Sequence, residues 1–300
     1  MDSRRPGGAA HRISRRPYRT AVSDNRRWER FIHRPGDIFV CTPPKCGTTW
    51  TQTIIASLLW PDGPAPAPVM TVSPWLDAQF FPLAEILARL DAQTHRRFIK
   101  THTPADGIPI FEDARYVFVG RDGRDAFMSL CHHYEVFKND VRESLNERAA
   151  ADGVPPMPGW TGDVHGFFRR WLQDATLLQH VATFWELRNH SNLLFVHFSD
   201  LKRGLAGEMR RIAAFLDLDV PEARWPAVVE RCTFEAMRAR ADEIGSFWNF
   251  EGGASSFLFK GTGGRWRDVL SDAELEAYAQ RTAEILPADA AAWLAQGRRP

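Results

Sequence analysis

Cysteine is scarce in this chain: four in 300 residues, Cys41, Cys46, Cys131 and Cys232, with no C-x-x-C spacing. That excludes a disulfide framework and argues against a structural zinc site. Reduced thiols in a cytoplasmic protein are the expectation. An excess of charge is also missing. Lys and Arg number 38 against 37 Asp and Glu, a net charge of +1, so there is no whole-chain electrostatic case for nucleic acid. No apolar run approaches the about 20 residues that span a bilayer. The Walker A loop, G-x-x-x-x-G-K-[ST], does not occur, and no acidic pair is placed to hold a metal. No metal is expected.

What is present is an ordinary globular composition, long enough for one large core. Residues 1–27, opening MDSRRPGGAAHRISRRPYRT, are rich in Arg, Gly and Pro and lack periodicity, so a disordered tail is expected there. Asp2 and the helix breakers argue against a transit peptide. No apolar core follows the arginines, so no secretory signal is expected. Residues 28–300 are read as a single domain.

The chain is organised around DIFVCTPPKCGTTWTQTIIASLL, residues 37–59. Ile38 to Cys41 read as a buried strand. Thr48 and Thr49 are good helix caps, and Ile54, Ile55, Leu58 and Leu59 recur at helical spacing. The turn between holds Lys45, Cys46 and Gly47. It aims free N–H groups, a helix start and a lysine at one point, which suits a phosphate-like anion. Lys45 precedes the glycine, so it enters from the strand side.

Three further strands are expected, ending near Lys100, Val119 and Phe198. His102 leaves the second strand, Arg121 the third, and Ser129 follows in a helix. Residues at strand exits sit where open α/β sheets bind ligands. Arginine suits phosphate through its bidentate fork; Arg124 is expected to pair with a neighbouring aspartate instead. Strands alternating with helices predict a three-layer α/β/α fold around a central parallel sheet. Residues 137–162 look least structured, a short polar helix followed by Gly and Pro, and are read as a mobile cover over the acceptor site. Residues 164–188 are read as helical with a break, their aromatics as core.

Four elements in this order resemble the cytosolic sulfotransferase family: P-K-x-G-T-T-W at residues 44–50, K-T-H-x-P at 100–104, the spaced Arg121 and Ser129, and K-G-x-x-G-x-W at 260–266. The resemblance implies a P-loop-like nucleotide-binding fold and a bacterial member of the family. It implies a donor, 3′-phosphoadenosine 5′-phosphosulfate (PAPS), leaving as 3′,5′-bisphosphoadenosine (PAP). It implies His102 as general base, Lys45 stabilising the departing phosphate oxygen, and Lys100 as a second candidate, in contact with the sulfonate. Lys45, Cys46, Gly47, Thr48 and Thr49 would cradle the 5′ side. Arg121, Ser129, Lys260 and Gly261 would hold the 3′-phosphate, and Trp50 and Phe234 would face the adenine.

The chain departs from the family pattern in places. Phe198 stands where the family has tyrosine, leaving apolar packing alone. Phe259 replaces an arginine, losing a charge beside the 3′-phosphate. The usual dimer segment is absent after Trp266, so oligomeric state is open. Cys46, beside Lys45 and a helix start, could carry a lowered thiol pKa, although a small residue that merely fits is the preferred reading. Phe80, Phe81, His133 and Phe247 are assigned to an apolar pocket for a small-molecule acceptor. Two rival readings stay open: a small-metabolite kinase dependent on ATP and Mg²⁺, and a nucleotide-binding module without chemistry.

Overall fold

The computed structural model describes residues 16–298, so most of the expected tail, residues 1–15, lies outside the described residues. The remainder of it is a correction. Residues 16–27 are packed onto the body of the protein, with Ala21, Asp24 and Asn25 buried. Asn25 Nδ2 donates to the Arg16 and Gly107 carbonyls at 2.8 Å each, and Tyr18 Oη donates to Asp106 at 2.7 Å. Single polar anchors fix this segment, and they leave no periodic trace in a run of arginines.

The sheet has four strands, β1 (Ile38–Cys41), β2 (Phe98–Thr101), β3 (Arg115–Gly120) and β4 (Leu193–His197). Their order is β2-β1-β3-β4 and every pairing is parallel. Alternate side chains feed two separate cores, as a two-residue period requires. Phe39, Cys41, Ile99, Tyr116, Phe118 and Phe195 face one. Ile38, Val40, Phe98, Val117, Val119 and Val196 face the other.

Helices cover both faces and make the three layers. Thr176–Glu186 and Ala288–Gln296 supply Phe184, Trp185 and Trp293 to the first core. Helix α1 (Thr48–Leu59) and Leu205–Phe215 supply Ile54, Ile55, Met209 and Ile212 to the second. Phe118 stacks on Phe184 with ring centres 4.6 Å apart; burying such a side chain contributes about 1.5–3 kcal/mol. No helix among the described residues is long and apolar enough to cross a membrane.

One local expectation is corrected, and two gain their bounds. Helix α1 is capped by Gly47, in the left-handed region at φ 107°, and Thr48 is already its first residue. The break in residues 164–188 falls at Ala175, φ 48°, between Val164–Asp174 and Thr176–Glu186. The stretch read as a mobile cover contains a helix, Asn139–Ala151, whose Val141, Leu145 and Ala149 are buried. Those three lie four residues apart, one helical stripe, through which the short polar helix read there packs.

Candidate active site

In the strand register Cys41 lies opposite both Thr101 and Phe118, and Gly120 opposite His197. All four strands therefore end at one edge. The residues that follow them, Thr42, His102, Arg121 and Phe198, meet there. A cavity of about 1260 Å³ opens along this edge, roomier than the roughly 300–1,000 Å³ of an ordinary single-ligand site. It is lined by every residue the sequence nominated except Cys46: Lys45, Gly47, Thr48, Thr49, Trp50, Phe80, Phe81, Lys100, His102, Arg121, Ser129, His133, Phe198, Phe234, Phe247, Lys260 and Gly261.

Cys46 turns into the core and is fully buried. Burial pushes its thiol up to about 12, against the opposing effect of the Arg121 charge. A reactive thiolate at this position is thereby corrected. The sequence placed Cys46 beside a lysine and a helix start, but could not show that its side chain points inward.

The loop before α1 holds two residues in the left-handed region, Lys45 at φ 67° and Gly47 at φ 107°. A Cβ on Gly47 would meet the Phe198 ring at 3.0 Å. Glycine is thus required both by its backbone and by the close ring. Lys45 Nζ is 3.4 Å from His133 Nδ1 and lies over the Phe257 ring at 4.6 Å. Burial, with the Arg121 and Lys100 charges, holds its ammonium down to about 7. Lys100, over the Trp75 ring at 4.3 Å, is held down to about 8, mainly by burial.

His102 is fixed by β1. Its Nδ1 donates to the Thr42 carbonyl at 2.6 Å. A carbonyl only accepts, so this bond places the proton on Nδ1 and leaves the Nε2 lone pair free. Thr42 Oγ1 in turn meets Thr48 Oγ1 at 2.6 Å, linking the imidazole to the anion loop. Trp75 packs edge-on against the ring at 4.7 Å. Burial and the Lys100 charge push the imidazole well below its ordinary range, so it is neutral at physiological pH.

Beside it, Asp77 is wholly buried and accepts from Thr101 Oγ1 and Thr103 Oγ1 at 2.5 Å each, and from Trp28 Nε1 at 3.2 Å. The residues on either side of His102 are therefore tied to one carboxylate.

The other end of the cavity is cationic. Arg121 is 6% exposed. It donates to the Lys45 carbonyl at 3.1 Å and the Thr262 carbonyl at 3.3 Å, and covers the Phe198 ring at 4.2 Å. Its Nε is buried with no partner, a donor an anion in the cavity would satisfy. Arg124 pairs with Asp122 at 2.6 Å, as its position in sequence indicated. Lys202, which the sequence did not single out, donates to the Gly261 carbonyl at 2.9 Å and lines the same wall. Gly261, φ 61°, brings its backbone against Phe234, where a Cβ would come within 2.9 Å. Trp50 Nε1 donates to the Cys232 carbonyl at 2.7 Å, and its ring meets Phe198 edge-on at 5.3 Å.

The remaining wall is apolar. His133, Phe137, Phe250 and Phe257 form a ring cluster, with Phe247 against Phe257 at 4.8 Å. Phe81 and Trp248, 40% and 46% exposed, stand on the cavity wall with part of each ring in solvent. Tyr18, Ala21 and Val22 close another side. No motif marks them, because their contribution comes from long-range packing of the N-terminal segment.

The arrangement is one compartment lined by a cationic group, by a neutral imidazole and by an apolar cluster. The sulfotransferase domain family model matches residues 35–288. A "Glycolipid sulfotransferase" of Mycobacterium bovis (strain BCG / Pasteur 1173P2) is 34% identical, with 94% of each chain covered. "Sulfotransferase 1A1" of Rattus norvegicus is 24% identical, over 83% of this chain and 84% of that protein. Among solved structures, mouse sulfotransferase SULT7A1 complexed with PAP superposes with a TM-score of 0.70 at 19% identity, covering 91% of this chain and 94% of that one.

Proposed function

The chain belongs to the sulfotransferase family, and on that premise we propose that it moves a sulfuryl group from PAPS to a hydroxyl or amine of a small acceptor held in the apolar half of the cavity. One observation carries the reading. The Nδ1–H bond to the Thr42 carbonyl leaves His102 Nε2 as a free acceptor, in the compartment that also holds Lys45 and the anion loop.

In this reading the acceptor hydroxyl gives its proton to His102 Nε2 as its oxygen attacks sulfur in line. The S–O bond to the 5′-phosphate breaks, and the electron pair stays on the departing phosphate oxygen. Lys45 and the N–H groups of residues 47–49 donate to that oxygen, where negative charge develops. Lys100 steadies the sulfonate. Arg121, Ser129, Lys260 and Gly261 hold the 3′-phosphate, and Trp50 and Phe234 flank the adenine. The imidazole is neutral before reaction, as a base must be, and the donor's negative charge offsets the lysines that depress its basicity.

The aromatic half suits an acceptor with a substantial apolar body. The relative named for glycolipids fits such a body. A soluble protein of the cytoplasm is our reading of its location. A thermal-shift panel of PAP, PAPS and ATP, with and without Mg²⁺, tests the donor. The expected result is stabilisation by PAP and PAPS independent of Mg²⁺. Stabilisation by ATP only with Mg²⁺ would favour a kinase instead.

A further inference from the structure

Phe259 occupies the place where the family pattern has an arginine, so the 3′-phosphate wall lacks one charge. The ring that replaced it is not idle. It stacks on His132 with centres 4.0 Å apart and planes 18° apart. Two cations lie over it, Lys260 at 4.9 Å and Arg265 at 5.8 Å.

Arg265 begins the short turn Arg265–Asp268, just after Gly264 at φ 83°. Gly264 N donates to Asp125 Oδ1 at 2.6 Å, which ties this turn to the helix carrying Ser129. Arg265 lines the same cavity as Arg121 and Ser129. Its Nε is buried with no partner, as is the Nε of Arg121. Among the described residues, neither guanidinium forms an ion pair. Burial weakens the hold of Arg121 on its proton; the Asp125 carboxylate opposes this, and the Arg265 charge adds to it. Two guanidinium groups in one wall, each with a buried Nε donor that nothing accepts, leave capacity for a further anion.

We propose that Arg265 supplies the second guanidinium of the 3′-phosphate site, taking over from the arginine that Phe259 has displaced. This rests on the PAPS reading above. The aromatic ring holds the Arg265 fork in place from one side, and the Asp125-anchored turn holds its backbone from the other. The class of ligand recognised is a nucleoside bearing a 3′-phosphate. The same wall gives no grip on a nucleotide without one.

The test compares PAP with 5′-AMP by titration calorimetry in the full chain. In Arg265→Gln, PAP affinity should fall about tenfold or more, the scale of a lost charge-assisted bond, while 5′-AMP affinity stays within about twofold. Adding Phe259→Arg to Arg265→Gln should recover most of the loss. Retained 5′-AMP binding reports that the variant is folded. Unchanged PAP affinity, or equal losses for both ligands, would overturn the assignment, and no recovery in the double variant would overturn the exchange with Phe259. A wild-type chain that binds no PAP at all would instead remove the donor reading on which this one stands.

Discussion

Lys45 shows how a single residue can be set by its surroundings. A lysine in water stays largely charged up to about pH 10. Here burial and two neighbouring cations hold it near 7, so the free protein gives up part of this charge at neutral pH. A phosphate ligand needs the charge back. The sign follows: the donor binds the protonated form, so affinity falls as pH rises. Between pH 7 and 9, PAP affinity should drop by up to about tenfold per unit from this lysine. Calorimetry across that range in wild type and Lys45→Met checks it; the variant should lose one decade of slope per unit. An identical pH dependence in both would remove Lys45 from the site. The motif in sequence identified this lysine, but not its low basicity, which arises from burial and then from Arg121 and Lys100, at the ends of other strands.

At the scale of an element, β2 and its exit matter most. The strand is short, yet His102 at its end is held on two sides, by Thr42 from β1 and by the Asp77 carboxylate under Thr101 and Thr103. Asp77→Ala removes the acceptor for three buried donors. Since each buried donor left unsatisfied costs about 1–3 kcal/mol, a loss of about 3 kcal/mol or more is expected in urea unfolding. Turnover should fall further than PAP affinity, because the loosened exit carries the base and not the nucleotide contacts. Asp77 was illegible in the sequence. It lies in a loop beside Trp75, and only the fold brings it under a strand more than twenty residues away. The strands themselves were legible, because short β-branched and aromatic runs stopped by Pro or Gly have few other solutions. The helix Asn139–Ala151 was legible as a short polar helix, but three apolar residues among charged ones gave no sign of what its stripe packs against.

For the molecule as a whole, parallel pairing is the organising fact. Four strands in register end together, so residues separated by some 150 positions in the chain share one compartment. That is why motifs at strand ends could be read without coordinates, whereas the lining from residues 18–23 could not. It also explains why the acceptor half is the less legible one: its Phe247, Phe250 and Phe257 sit on loops and short turns that obey no period. His102, the proposed base, lines the cavity that both halves share. The most direct test is transfer of labelled sulfate from PAPS to an acceptor alcohol by wild type and His102→Ala, with PAP affinity measured on the same samples. The account predicts a loss of about 10²-fold or more in turnover, the contribution of a positioned general base, with PAP affinity held within about threefold. Undiminished turnover in His102→Ala would contradict it.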